Sequence, residues 1–270
     1  TLITGAAGGI GSEICNILAD LGSDIIMADR NQDKLIILKE KLRRKHVKVH
    51  IINIDISSEL SISQCIDQIF KKVGFLNMVV HGAGFFSPFN LDDIPAKDQS
   101  ELFIANIFGP YMLSEKILEH WTHKPGKKKM LYISSIAGLE NNPQKRQAYA
   151  FSKRMNIEIF HRNITKFANQ KIDFVCACPG PTNTKMWKKV CKTIAEYEDI
   201  TPEEVLDKYQ RSSSNRVWEP RDTAYAIVDC LIGGKNGELF NIDNHSIIKY
   251  NPDYNTKELM SIINSMRFIP

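Results

Sequence analysis

A tyrosine and a lysine four residues apart could together exchange a proton with a bound molecule. Tyr149 and Lys153 lie in the run YAFSK, and on a helix this spacing places the phenol and the ammonium group on the same face. A phenol with a pKa near ~10 is a weak acid–base catalyst at neutral pH, but a nearby positive charge favours the phenolate. Ser135 ends the run LYISS, which predicts a strand that finishes in a hydroxyl. These groups could protonate a carbonyl oxygen or deprotonate an alcohol.

A tyrosine–lysine pair alone is weak evidence, because many helices carry one on a solvent-exposed face. The start of the chain adds a second pattern. Residues 1–4 are an apolar, β-branched run, the glycine-rich GAAGGIG follows, and residues 12–21 have apolar side chains at helical spacing. Strand, glycine-rich turn and helix in this order are typical of dinucleotide binding. The glycines allow a tight turn and the approach of a pyrophosphate to the helix N-terminus.

The second predicted strand, residues 23–29, ends in Asp29. Its carboxylate could accept hydrogen bonds from both hydroxyls of an adenosine ribose, and it would repel the 2′-phosphate of NADP. Arg30 follows directly and could partly offset that repulsion. The pair favours NAD as the cofactor and leaves NADP as the alternative. Asp29 could also be an ordinary turn residue at the end of a strand.

These motifs together resemble those of the short-chain dehydrogenase/reductase family, in its short single-domain subclass. The resemblance covers nearly the whole chain. The family's T-G-x-x-x-G-x-G cofactor motif is matched by residues 4–11. Its four catalytic residues are matched by Asn106, Ser135, Tyr149 and Lys153.

The resemblance also implies how a cofactor is held. Asp55, after a predicted strand over residues 49–54, matches the acid that contacts the adenine, and residues 179–184 match the segment along the nicotinamide. The predicted cofactor-binding residues are Gly5, Gly9, Ile10, Gly11, Asp29, Arg30, Asp55, Ile56, Ala83, Gly84, Tyr149, Lys153, Pro179, Gly180, Thr182 and Thr184. No metal site is predicted, because no Cys/His cluster has zinc spacing.

The function implied by the resemblance is an NAD(P)-dependent oxidoreductase that moves a hydride between nicotinamide and a carbonyl or secondary alcohol substrate. Tyr149 would transfer the proton, Ser135 would hold the substrate oxygen, and Lys153 would lower the Tyr149 pKa and hold the nicotinamide ribose. Asn106 would position a water that links Lys153 to solvent. Two alternatives stay open: a non-catalytic dinucleotide sensor, and an epimerase or isomerase with a tightly held cofactor.

The chain departs from the family pattern in two places. The family's Asn-Asn-Ala-Gly reads His81-Gly82-Ala83-Gly84 here. We interpret His81 as a hydrogen-bonded structural residue rather than a substrate group. Residues 239–245 replace a common Asp-Gly-Gly, so the tail could leave the core along another path.

Length and patterning predict one α/β domain over residues 1–270, a Rossmann-like, doubly wound parallel sheet with helices on both faces. Residues 101–121 and 149–167 are expected to form long helices. In the family these helices often pair across a dimer axis, so a homodimer or homotetramer is implied. Residues 185–218 are the predicted substrate lid. Residues 245–270 are the predicted C-terminal tail, with helical spacing over residues 255–266.

The mild net charge of +4 argues against a nucleic-acid partner. The basic runs at residues 39–48 and 127–129 lack interleaved aromatic residues and indicate solvated faces. No apolar run approaches membrane-spanning length, so no membrane partner is expected. The six cysteines are interpreted as buried free thiols in a reducing cytoplasm, which is the expected location. Because the sequence begins inside the first predicted strand, a removed targeting segment stays an open alternative.

The sequence leaves the identity of the small-molecule substrate open. Phe85, Phe86, Met186 and Trp187 at the predicted pocket rim suit a partly apolar compound, and Glu140 and Asn141 could also face it. Three lysines in the predicted lid would equally suit an anionic compound: Lys185, Lys188 and Lys189.

Overall fold

The fold is an eight-stranded sheet covered by helices on both faces. The structure is a computed structural model, and it describes residues 1–87, 91–92, 94–122, 124–139, 147–213, 217–243 and 246–250. The strands are β1 (Leu2–Thr4), β2 (Ile25–Asp29), β3 (Val49–Asn53), β4 (Met78–His81), β5 (Lys128–Ile133), β6 (Ile172–Pro179), β7 (Glu238–Asp243) and β8 (Ser246–Tyr250). The helices are α1 (Gly9–Asp20), α2 (Gln32–Leu42), α3 (Glu59–Lys72), α4 (Ala96–Phe103), α5 (Gly109–Trp121), α6 (Ala148–Lys166), α7 (Lys185–Glu198), α8 (Pro202–Ser213) and α9 (Pro220–Gly233).

The strand order is β3-β2-β1-β4-β5-β6-β7-β8, and every neighbouring pair is parallel except β7 and β8. The sequence prediction of a doubly wound parallel sheet is therefore confirmed. The order reverses at β1, whose two neighbours are β2 and β4. Ligands of such sheets bind in a crevice outside the carboxyl ends of the strands, at the point where the strand order reverses. In this sheet that crevice begins beside Thr4, the last residue of β1.

The core is divided by the sheet into two layers. Successive residues of β6 point to opposite faces: Phe174 packs in the layer of α3, α5 and α6, and Val175 packs in the layer of α1, α2 and α9. A strand that is apolar on both faces reads as a continuous hydrophobic run, as residues 174–178 of β6 do. The three-layer αβα arrangement follows from this burial.

A threonine hydroxyl fixes the chain where β1 and β4 end. Thr4 Oγ1 accepts hydrogen bonds from the backbone N–H groups of Gly82 and Ala83, at 3.1 and 3.2 Å. Gly5 next to it has a φ of +70°, and a Cβ there would lie 2.7 Å from the Gly82 carbonyl oxygen. The first glycine of the motif is therefore needed both for its backbone conformation and for close approach to the loop after β4.

Two elements near the crevice differ from the sequence prediction. Strand β5 ends at Ile133, before Ser135, and Ser135 instead caps a 3₁₀ turn over Ile136–Gly138, with its Oγ accepting from Ala137 N at 3.2 Å. The helix expected from residue 101 already begins at Ala96, and it contains a π-helical turn over Ile104–Phe108 between α4 and α5. A Cβ on Gly109, directly after that turn, would lie 2.2 Å from the Ile56 carbonyl oxygen.

The later part of the chain also adds an element. Residues 246–250, inside the predicted tail, form the antiparallel edge strand β8 against β7. The predicted lid contains helices α7 and α8. Residues 255–266 lie outside the described residues.

All six cysteines are buried and free, as predicted. In the part of the chain that the structure describes, no helix is both long enough and apolar enough to cross a membrane. Over the same residues, no cluster of three His, Cys, Asp or Glu side chains could hold a metal ion.

Candidate active site

Helix α6 carries Tyr149 and Lys153 on one face, one turn apart, as the spacing predicted. The Lys153 Nζ atom lies 5.8 Å from the centre of the Tyr149 ring and donates a hydrogen bond of 3.1 Å to the Ile133 carbonyl oxygen. The backbone around Lys153 is held by Ser134 Oγ, which donates to the Lys153 carbonyl oxygen at 2.7 Å. The end of β5 therefore positions both the side chain and the backbone of Lys153.

The Ser135 hydroxyl lies close to the Tyr149 phenol and acts to lower its pKa. The phenol is half-buried, and the Phe86 ring packs on it with 5.2 Å between ring centres. Burial raises the pKa of Tyr149 to about 12, and the Ser135 hydroxyl opposes that rise only partly. Without a bound cofactor or substrate, Tyr149 is therefore a neutral phenol that can donate a proton. The lowering of its pKa expected from Lys153 stays a prediction.

Burial acts on Lys153 in the opposite direction. Its side chain is 7% exposed, and desolvation lowers the pKa of Lys153 to about 8. Lys153 is therefore a cation held in an apolar environment at neutral pH, where its charge acts more strongly on neighbouring groups than it would in water.

Asn106 is fully buried in the π-helical turn, and its amide group is bound to the loop after β4. Its Nδ2 donates to the Phe85 carbonyl oxygen at 2.8 Å and to Ser152 Oγ at 3.0 Å, and its Oδ1 accepts from Phe85 N at 2.9 Å. A Cβ on Gly84 would lie 2.9 Å from Asn106 Oδ1 and 3.6 Å from Lys153 Nζ. Asn106 thus lies behind Gly84, close to Lys153, and orients the cavity wall through Phe85.

Ser135, Tyr149 and Lys153 line a cavity of about 480 Å³, which we call the Tyr149 cavity. It extends from Ile10, on the first turn of α1, to Val190 and Ile194 on α7. The predicted cofactor residues along it are Ile10, Gly84, Tyr149, Lys153, Pro179, Gly180, Thr182 and Thr184. Those outside its lining are Gly5, Gly9, Gly11, Asp29, Arg30, Asp55, Ile56 and Ala83.

The N-terminus of α1 is open to an anion. Its N-cap is Gly8, which has no side chain to cap the helix, and no acidic residue lies in the first turn. A Cβ on Gly11 would lie 2.2 Å from the Gly5 carbonyl oxygen, so the turn can close only with glycine there. Free N–H groups with the positive end of the helix dipole favour a phosphate at this position. The residues present therefore fit the pyrophosphate of a dinucleotide.

Asp29 is the last residue of β2, and its carboxylate is fixed by two backbone N–H groups. Ala7 N donates to one oxygen at 3.1 Å and Asn31 N donates to the other at 2.9 Å. Arg30 beside it is exposed. Asp55, two residues beyond β3, is exposed and accepts from Ser57 N at 2.9 Å.

Sequence reasoning missed several cavity residues. Gln147, Val190 and Ile194 line the Tyr149 cavity but were not singled out. The four-residue spacing of Met186, Val190 and Ile194 was the available signal, because it places them on one face of a helix. Glu140 and Asn141 lie outside the described residues.

His81 is a structural residue, as its interpretation from the sequence predicted. It is 4% exposed, its Nε2 is 3.0 Å from Ser114 Oγ, and its ring stacks on Tyr132 with 4.8 Å between centres. Desolvation lowers the pKa of His81 to about 3, so the ring is neutral at physiological pH.

Comparison with known proteins settles the family. The family model described as short chain dehydrogenase matches residues 1–195 of the 270-residue chain. The chain belongs to the short-chain dehydrogenase family.

The relatives of this short-chain dehydrogenase are distant in sequence. The diacetyl reductase of Staphylococcus epidermidis is 26% identical over 231 residues, which cover 84% of this chain and 88% of that protein. The 7α-hydroxysteroid dehydrogenase of Escherichia coli is 27% identical over 227 residues, 84% of each chain.

Solved structures share the fold at still lower identity. An actinorhodin polyketide ketoreductase with NADPH superimposes with a TM-score of 0.79 at 21% identity, covering 89% of this chain and 94% of that chain.

Proposed function

We propose that this short-chain dehydrogenase interconverts a carbonyl compound and a secondary alcohol with NAD(P), and that Tyr149 is its general acid and base. The supporting observation is that Ser135, Tyr149 and Lys153 line one cavity, which continues to the first turn of α1. A proton donor, an oxygen-binding hydroxyl and a buried cation thus face the same space. The curated relatives named above are reductases and dehydrogenases, which agrees with this reaction class.

The proton moves between Tyr149 and the substrate oxygen. In reduction, the Tyr149 hydroxyl donates its proton to the carbonyl oxygen, and the Ser135 hydroxyl donates a hydrogen bond to the same atom as charge develops there. In oxidation, Tyr149 accepts the proton from the alcohol. When bound, the nicotinamide supplies or accepts the hydride.

Lys153 stabilises the phenolate that Tyr149 becomes in reduction. Its Nζ is held by the Ile133 carbonyl oxygen, so the charge is in place before reaction. Pre-organised charge in an apolar cavity costs no rearrangement during the reaction. We propose that Asn106 supports this arrangement by fixing Phe85 at the cavity wall.

We propose NAD as the cofactor, because the fixed carboxylate of Asp29 would repel a 2′-phosphate. NADP is the second candidate. Arg30 beside Asp29 and Lys34 in the first turn of α2 supply positive charge near the same place. The related polyketide ketoreductase was solved with NADPH, which also favours this candidate.

We further propose that the described chain acts as one domain in which α7 and α8 close over the substrate. The inner face of α7 lines the Tyr149 cavity, which supports a covering role. A homo-oligomer through α5 and α6, implied by the family resemblance, is part of the same proposal.

The test compares Tyr149→Phe with Tyr225→Phe. Tyr225 is an exposed tyrosine on α9, outside the cavity lining, and serves as the matched control. Nicotinamide absorbance is followed for alcohols and ketones with NAD(H) and NADP(H). We expect Tyr149→Phe to bind dinucleotide normally and to lose at least ~100-fold in kcat, since general acid–base catalysis contributes about 10²–10⁴-fold. Near-normal turnover in Tyr149→Phe would overturn the assignment, as would equal losses in both variants.

A further inference from the structure

The substrate end of the Tyr149 cavity is apolar. The lining of the Tyr149 cavity is mostly aromatic, aliphatic or sulfur-containing, as in Phe86, Ile136, Met186, Trp187 and Val190, and it also includes the polar Gln147. Ligand sites of about 300–1,000 Å³ typically combine such a wall with a few polar groups that fix orientation. Here the hydroxyls of Ser135 and Tyr149 fix the reacting oxygen, and the wall contacts the rest of the substrate.

Helix α7 separates its apolar and basic side chains. Met186, Val190 and Ile194 recur every four residues and line the cavity, whereas Lys185, Lys188 and Lys189 are exposed and outside its lining. Side chains four apart share a helix face, so the lysine-bearing surface turns away from the cavity. The sequence left open whether the substrate is apolar or anionic. The two faces of α7 favour the apolar one.

Lys153 is the single charged side chain that lines the Tyr149 cavity among the residues that the structure describes. Its ammonium group is bound to the Ile133 carbonyl oxygen and lies 3.6 Å from the position that a Cβ on Gly84 would take. Among the described lining residues, no second cation is therefore available to pair with a carboxylate or phosphate on the substrate. Burial of an unpaired charge is far more costly than burial of a neutral ester or hydrocarbon.

We infer that the substrate is an uncharged ketone or secondary alcohol with apolar groups on the reacting carbon, selected by the inner face of α7. This inference rests on the proposed function and narrows it. It favours neutral apolar compounds over sugar phosphates and carboxylates.

A matched pair of ketones tests the charge requirement. Methyl 4-acetylbenzoate and 4-acetylbenzoate differ in a remote ester or carboxylate, while the reacting ketone is the same. We expect kcat/KM at pH 7 to be at least ~100-fold higher for the ester, because the acid places an unpaired charge in the cavity. Dissociation constants from the dinucleotide complex, measured by calorimetry, should follow the same order. Equal or better use of the acid would overturn the inference, and so would the failure of both compounds to bind.

Two variants locate the selectivity on α7. Ile194→Lys adds a cation on the inner face and should reduce the ester-to-acid ratio about tenfold or more. Lys189→Ala, the matched control on the outer face, should leave that ratio unchanged. A large loss of acid turnover in Lys189→Ala would show that the outer lysines bind substrate, and it would refute the inference even if Ile194→Lys does not fold.

The failures of the two proposals are distinguishable. If the acid is the better substrate and Tyr149→Phe abolishes its turnover, the proposed function stands and the substrate inference falls. If Tyr149→Phe turns over the ester normally, the proposed mechanism falls while the ester preference stands.

Discussion

Substituting Asn106 by alanine tests whether this residue holds the cavity wall. The change removes three hydrogen bonds, two to the Phe85 backbone and one to Ser152 Oγ. An unsatisfied buried donor or acceptor costs about 1–3 kcal/mol, and both backbone groups of Phe85 lose their partner. Phe85 is only half-buried, so water can replace part of the loss. We therefore expect the free energy of unfolding to fall by about 2–4 kcal/mol.

Urea unfolding of wild type and Asn106→Ala, followed by circular dichroism, measures this loss. Ser152→Ala is the matched control, because it leaves both Phe85 bonds intact and should cost only about 0.5–1.5 kcal/mol. The turnover of each variant is measured in parallel. A stability of Asn106→Ala within about 1 kcal/mol of wild type, together with a large loss of kcat, would refute the reasoning. Asn106 would then act in the chemistry rather than through Phe85.

Two further predictions concern His81 and Asp29. Because the pKa of His81 is about 3 when folded against about 6.5 when unfolded, only the unfolded state gains this proton between those values, and stability falls as the pH is lowered below 6.5. The loss of unfolding free energy from pH 7 to pH 5 should be about 2 kcal/mol smaller in His81→Asn; identical losses in urea titrations would contradict the assignment. Asp29→Ala should raise the ratio of kcat/KM with NADP to that with NAD at least tenfold, and an unchanged ratio would remove Asp29 from the ribose site.

The elements that line the candidate cofactor site were predictable because their signals are local. The glycine-rich run after β1 has a backbone requirement that the sequence displays directly, as the positive φ of Gly5 demonstrates. The Tyr149–Lys153 spacing has one geometric meaning on a helix. The buried strands of the sheet appear as apolar runs because both of their faces are covered.

The features that sequence reasoning missed depend on tertiary contacts. The π-helical turn at Ile104–Phe108 coincides with the Asn106 hydrogen bonds and with the contact of Gly109 on Ile56, none of which has a local signature. Strand β5 ends two residues early because Ser135 caps a 3₁₀ turn. The direction of the α7 lysines could be known only once the opposite face was seen to line the cavity.

The π-helical turn also limits how the chain can vary in length. Such a turn inserts one residue into an α-helical path, and each residue rotates the following helix by about 100°. Deletion of one residue between Ile104 and Phe108 would restore a regular helix and rotate Leu113 and Ser114 off their buried positions. Natural variants and designed chimeras should therefore exchange this helix as one block that includes its extra residue. Insertions should accumulate in the loops instead.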